Sequence, residues 1–427
     1  MNRPANHKLM AACSLALLLL CMPPPATSAP IDNDPLIHSS YAHELMQRGE
    51  FDKGLEQLRT AYLLFPLNET LKRNLAEGYA VVGHSFFKKL QYDKADEQYV
   101  KAMELYPEET NYALLRGICN YHLQKFDVAR HTLEIARQKA PDSVETIYYL
   151  GLVLYETEQQ QAAVALWEEG LKHSPDRAEL KAILNKVRKE MAVEADMDRG
   201  HSSRFSITFD PGITTTNALA ILEVLEEAAN VIDAELGHFP DKRIPVVVYQ
   251  SKDFKFVTDA PDWSGGMYDG TIRLPLGSMK EITPRIREVL FHEYAHVVVY
   301  GMTNGNCPTW LNEGIADFFG RLNHNKPLHE FGKALRSKYL LPFSSLARGF
   351  ASLSPQQATL AYQQSYAFVN YLVTTYGWHR ISSLLNSLGK GQLISSALAA
   401  AFNDDGVTLE QLTSAWLQNT EQSLTTK

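Results

Sequence analysis

Four prolines set a register in the first half of the chain: Pro66, Pro107, Pro141 and Pro175, separated by 41, 34 and 34 residues. Counted back from each proline, small residues recur in three columns. These are Ala42, Gly83, Gly117 and Gly151; Gly54, Ala95, Ala129 and Ala163; and Ala61, Ala102, Ala136 and Gly170. A fourth column, Leu58, Tyr99, Leu133 and Trp167, is large. Small residues at a fixed period let two helix backbones approach closely, and a unit of this length cannot bury its apolar face alone. The pattern therefore reads as a repeat array with helix–helix contacts at the small columns, each unit touching only its neighbours. The first interval exceeds the others by seven residues (41 − 34), two helical turns that fall in the first helix of the second unit, around Leu71 to Val82. Ala178 to Lys189 follows as a helix that caps the array.

These columns resemble the tetratricopeptide repeat, in four copies over residues 36–190. The resemblance implies a surface for protein or peptide partners. A generic helical bundle does not explain three small-residue columns held across four copies.

The start of the chain is different. Arg3 and Lys8 precede an apolar run from Leu9 to Met22, followed by Pro23 to Ala29. The run is too short to span a bilayer and reads as a secretory signal over residues 1–29, cleaved after Ser28 or Ala29. A lipoprotein reading through Cys21 fits less well, because Leu19 and Leu20 stand where small residues are wanted. The mature chain is then expected to be exported: periplasmic in a Gram-negative bacterium, secreted otherwise. Cys119 and Cys307 remain after cleavage and are expected as free thiols, since a bridge would need two distant segments to meet at that point. A net charge of −8 gives no electrostatic case for nucleic acid or anionic lipid.

Residues 191–203 are polar without clear periodicity and are expected to be a linker. Beyond them the period changes. Phe205 to Phe209 alternates as a strand, Thr216 to Leu236 is an amphipathic helix stopped by Gly237, and Ile244 to Tyr249 is a buried strand. Gly265 to Gly270 is a turn feeding a short strand, Thr271-Ile272-Arg273-Leu274. Ser354 and Pro355 open a long helix that Gly377 closes, and Thr408 with Gln411 makes a capping box.

The chemistry-bearing stretch is His292-Glu293-Tyr294-Ala295-His296. Thr283 as N-cap, Pro284 at the first helical position and Gly301 past the end bound a helix around it. On that helix the two histidines stand one above the other and can ligate one zinc ion, with Glu293 beside the remaining position. Glu313, seventeen residues after His296 in the run Trp310-Leu311-Asn312-Glu313-Gly314-Ile315-Ala316-Asp317, is offered as third ligand. Two His and one Glu with an open position for water is a catalytic set rather than a structural one. A surface helix with two unrelated histidines is the bland alternative. It fits poorly with Leu290, Phe291 and Val297 to Val299, which make the helix apolar on nearly every side.

The H-E-x-x-H run and the downstream W-L-N-E-G-x-A run together resemble the gluzincin metallopeptidases of the peptidase MA-like group, over residues 204–427. The fold class implied is α+β: an all-α tetratricopeptide-repeat solenoid followed by a gluzincin-like domain with a small sheet plus a helical part. The resemblance implies one Zn2+ held by His292, His296 and Glu313, and Glu293 as general base. Asp317, one turn after Glu313, would orient a ligating histidine, its plain alternative being an ordinary helix carboxylate. In Tyr362-Gln363-Gln364-Ser365-Tyr366-Ala367, Tyr362 falls on the family's transition-state tyrosine; Tyr366 is the alternative, and either can be a packing residue. Aminopeptidases of the group carry Gly-Ala-Met-Glu-Asn on a substrate strand. The run here, Gly265-Gly266-Met267-Tyr268-Asp269, lacks the Glu and so does not imply amino-terminal selectivity. Thr271 to Leu274 is expected to pair with an extended substrate by strand addition. The expected function is zinc-dependent hydrolysis of peptide bonds inside chains. The alternative is a repeat-based binding scaffold that keeps a zinc site without turnover.

Overall fold

The computed structural model describes residues 34–258, 265–324, 326–350, 353–402 and 407–425. The expected signal segment, with Cys13 and Cys21, lies outside them. The described residues fall into two compact units that divide between Arg188 and Lys189.

The first unit is a run of antiparallel helix pairs: α1 (Pro35–Gln47) with α2 (Phe51–Leu64), α3 (Glu69–Lys88) with α4 (Tyr92–Leu105), α5 (Thr110–His122) with α6 (Phe126–Lys139), and α7 (Val144–Glu156) with α8 (Gln160–His173). α3 has 20 residues where α1, α5 and α7 have 13, so the seven extra residues lie where the register puts them. The small and large columns face each other within a pair. A Cβ on Gly83, Gly117 or Gly151 would come within 2.9 Å of Tyr99, 2.5 Å of Leu133 or 2.1 Å of Trp167. Each large side chain thus lies on bare backbone, which is why the columns alternate.

The last helix of the array, α9, runs Ala178–Glu194, five residues past its expected end at Lys189. It is followed by the strand β1 (Asp198–His201). The expected linker at 191–203 therefore carries regular structure instead. The cause is a buried partner: Arg273, with 2% of its side chain exposed, reaches Glu190 at 2.8 Å and Glu194 at 3.3 Å. A guanidinium taken out of water must be paired, and these two carboxylates, one helical turn apart, keep the helix wound.

In the second unit β1, β2 (Phe205–Phe209), β3 (Ile244–Val248), β4 (Met267–Tyr268) and β5 (Ile272–Leu274) form one sheet in the order β1-β2-β3-β5-β4. β2, β3 and β5 are parallel, joined through α10 (Thr215–Leu236) and α11 (Ser251–Thr258), as parallel strands require. β1 and β4 pair antiparallel at the two edges. Gly237 ends α10 in the left-handed conformation, as expected.

Two expectations are corrected here. Met267 and Tyr268 are a strand rather than part of a turn, paired to Arg273 and Ile272. β5 therefore lies between β3 and β4 with both edges used, and the Arg273 side chain is committed to the buried carboxylates. Thr271 to Leu274 cannot receive a substrate strand, and on this side of the sheet the edge belongs to β4.

The helical part contains α12 (Pro284–Thr303), α13 (Thr309–Arg321), α14 (His329–Arg336), α15 (Phe343–Leu346), α16 (Pro355–Tyr376), α17 (Trp378–Gly389), α18 (Ile394–Ala401) and α19 (Leu409–Thr425). Its core merges with the buried face of the sheet through α10 and α12. Among the described residues no helix is long and apolar enough to cross a membrane. Cys119 and Cys307 are both free.

Candidate metal centre

α12 begins as expected: the Thr283 hydroxyl accepts from the Ile286 N–H, and Pro284 opens the first turn. It ends later than expected, at Asn304 in the left-handed conformation, not at Gly301. Gly301 answers to packing, since a Cβ there would lie 2.5 Å from the His238 ring. The helix is buried along Leu290, Phe291, Tyr294, Ala295, Val298 and Val299. Tyr294, between the two histidines, donates its hydroxyl to the buried Asp233 of α10 at 2.7 Å. That bond fixes the rotation of α12 and turns His292 and His296 the other way.

α13 brings the next group. Gly314 lies against α16, where a Cβ would be 2.6 Å from the Ser365 carbonyl oxygen and 2.5 Å from Val369. Only a residue without a side chain lets the two helices cross this closely, which sets the helix of Tyr362 beside Glu313.

His292, His296 and Glu313 converge. Their ligand atoms lie within 4.8 Å of one another. The Nε2 atoms are 3.1 Å apart, and Glu313 Oε2 is 3.6 Å from each. A tetrahedral ion with bonds of about 2.0–2.1 Å has ligands about 3.3 Å apart, so the three atoms fit one ion.

The outer nitrogens decide the tautomers. His292 Nδ1 is 3.2 Å from Asp317 Oδ1, and His296 Nδ1 is 3.0 Å from Asn312 Oδ1. Both partners accept, so both Nδ1 atoms carry hydrogen and both Nε2 atoms direct lone pairs inward. Two lone pairs and a carboxylate pointing at one place require a positive charge there. With no metal, a proton on His292 supplies it. Burial opposes that charge, but the Asp317 and Glu313 carboxylates outweigh it and raise the His292 pKa well above the imidazole range. Burial keeps His296 neutral, its pKa lowered to about 4.

Glu293 is not one of the three converging ligands. It is 5% exposed, and its Oε2 is buried with no hydrogen-bond partner among the described residues. Burial pushes its pKa up to about 7, with His292 opposing and Glu313 reinforcing. A Cβ on Gly266, beside the edge strand β4, would lie 2.6 Å from Glu293 Oε1. The carboxylate is therefore packed against bare backbone at the sheet edge.

The two tyrosines separate. Burial raises the Tyr362 phenol, and the charges of Glu313, Asp317 and Glu293 raise it further. Tyr366 lies under the Arg321 guanidinium, 4.3 Å from carbon to ring centroid. The sequence alone assigns Asn312 no role and Gly266 only a place in a turn. Asn312 was legible only as a member of the W-L-N-E-G run, because the partner of its amide is on another helix.

Comparison with known proteins agrees with this layout. The Peptidase MA superfamily model matches residues 228–419, which include every residue of the centre. A Peptidase MA superfamily domain occupies this part of the chain. A tetratricopeptide-repeat model matches residues 83–143 and 121–179. No curated protein matches the chain. Among solved structures, the first TPR domain of human RPAP3 is 22% identical over 28% of this chain and 94% of that one, with a TM-score of 0.27. The Arabidopsis OM64 TPR domain is 21% identical over 28% and 98%, also at 0.27. YrrB, a TPR protein with an unusual peptide-binding site, is 15% identical over 35% and 92%, again at 0.27.

Proposed function

We propose that the chain is a zinc-dependent endopeptidase of the gluzincin type whose repeat unit holds protein or peptide partners. The observation that carries the reading is the convergence of His292 Nε2, His296 Nε2 and Glu313 Oε2 with both Nδ1 hydrogens already committed. Bound zinc supplies a Lewis acid that polarises water and the scissile carbonyl. Glu293, buried with one oxygen unpartnered among the described residues and a pKa raised to about 7, takes the proton of the attacking water and returns it to the leaving amine. Tyr362 donates its hydroxyl to the developing oxyanion. An extended substrate adds to the edge of β4, next to Gly266 and Glu293.

The same strand argues for cleavage inside chains. Asp269, the carboxylate of the β4–β5 hairpin, is held by Arg273 Nε at 3.2 and 3.4 Å, so it is not offered to a substrate's amino terminus. The basic and apolar start of the chain supports export of the enzyme.

Zinc titration tests the metal reading. The Asp317 and Glu313 carboxylates favour a proton on His292 that the ion must displace, so binding at pH 7 is expected to release protons. Affinity then rises with pH and is lost on acidification, because the protonated imidazole cannot ligate. Calorimetry in two buffers of unlike ionisation heat measures the release. Binding without proton release and without pH dependence contradicts the site.

The tyrosine assignment has its own test. Tyr362→Phe lowers kcat with zinc content unchanged, as expected for a donor that acts in the transition state. A larger loss from Tyr366→Phe transfers the role to the other ring.

A further inference from the structure

Glu313, Asp317 and Arg321 follow one another at four-residue steps and share one face of α13. Glu313 is a ligand and Asp317 holds one; the third has no role in the function proposed above. Arg321 has only 8% of its side chain exposed. Its guanidinium lies over Tyr366 with the central carbon 4.3 Å from the ring centroid, within the range of a cation–π contact. One terminal nitrogen donates to the Lys326 carbonyl oxygen at 2.5 Å. Its Nε has no hydrogen-bond acceptor among the described residues and faces Asp317 Oδ2 at 3.8 Å.

Asp317 is thus held at both oxygens. Oδ1 takes the Nδ1 hydrogen of His292 at 3.2 Å, while Oδ2 looks at the Arg321 cation. A separation of 3.8 Å is too long for a hydrogen bond, so Arg321 acts on Asp317 by charge and by filling the space beside it. The carboxylate then has one rotamer that satisfies both neighbours, and that rotamer orients the His292 ring. A buried guanidinium is costly unless it has partners, and Arg321 has three: a ring, a carbonyl and this carboxylate.

We propose that Arg321 is a positioning residue of the metal centre: stacked on Tyr366, it fixes Asp317 and through it presents His292 Nε2 to the ion. The proposal rests on the zinc reading above. It also gives Tyr366 a place as the platform of the guanidinium. Lysine cannot reproduce the arrangement, because an ammonium has neither the plane that stacks nor the fork that spans carbonyl and carboxylate.

The test is zinc affinity, read on the full chain by competition with a chromophoric chelator. Loss of a ligating histidine's own hydrogen-bond partner, here Asp317, typically weakens metal binding by about 10–100-fold. Arg321→Met is expected to weaken zinc about tenfold, the low end of that range because Asp317 itself remains. Tyr366→Leu, which removes the platform, weakens it in the same direction, and Arg321→Lys falls between wild type and Arg321→Met. The decisive arm is an Asp317→Asn background. There Arg321→Met and Arg321→Lys add no further loss, because the group that transmits their effect is gone; a merely structural arginine weakens both backgrounds equally. If Arg321→Met does not yield folded protein, Arg321→Lys carries the same comparison. Wild-type affinity in both arginine variants, or equal losses in the two backgrounds, overturns the proposal. Wild-type protein that takes up no zinc in this titration overturns the metal reading itself, an outcome distinct from a failure confined to Arg321.

Discussion

Zinc content and turnover are expected to fall together when Glu313 is replaced by Gln or His296 by Ala. The three ligand atoms form a closed triangle with sides of 3.1, 3.6 and 3.6 Å, and no other group of three His, Cys, Asp or Glu among the described residues makes a comparable one. Glutamine at 313 keeps the shape but offers a neutral oxygen, so the ion loses its one anionic ligand. Alanine at 296 removes a nitrogen whose orientation Asn312 already fixes. Either change costs more than the about 10–100-fold in affinity expected for a residue that only supports a ligand. The fold survives, because α12 is anchored on its other face by Tyr294 and Asp233. Metal analysis after dialysis, with cleavage of an unstructured protein as readout, checks both quantities. A variant that loses turnover while keeping one tightly held zinc contradicts the assignment of that ligand.

Much of this centre was legible because its groups are local in sequence. His292 and His296 are one turn apart, and Glu313 and Asp317 are one turn apart, so helical periodicity alone puts each pair on one face. The repeat unit was legible for a related reason: Gly83, Gly117 and Gly151 each meet a large side chain sixteen residues later, and a fixed period makes such a pairing visible. The longer α3 followed from the same register.

The rest depended on partners that are far apart in the chain. Residues 191–203 look like a linker because they are polar, yet α9 continues to Glu194 on account of Arg273, 79 residues from it. β4 is two residues long, too short to show alternation, and without it β5 passes for an edge. Gly301 has the composition of a helix end, but the helix goes on to Thr303 and the glycine makes room for His238. The role of Tyr366 could not be read from its position either, since its neighbour Arg321 comes from another helix.

Glu293→Gln separates the metal from the chemistry. Glutamine has nearly the volume of glutamate and fits the same pocket against Gly266. It cannot accept a proton at neutral pH, whereas the Glu293 carboxyl, raised to about 7 by burial, can both take one and give it back. None of the three ligand atoms is changed, so the variant is expected to hold about one zinc per chain, as a centre of this donor set does. Its turnover is expected to drop by at least ~10²-fold, the contribution of a positioned general base. The measurement is kcat/KM of wild type and Glu293→Gln on one unstructured protein substrate, with zinc per chain determined on the same samples. Equal zinc with a loss of ~10² or more in kcat/KM is the predicted result; equal zinc with equal kcat/KM would contradict it and leave a repeat protein that binds partners and keeps a metal site without using it.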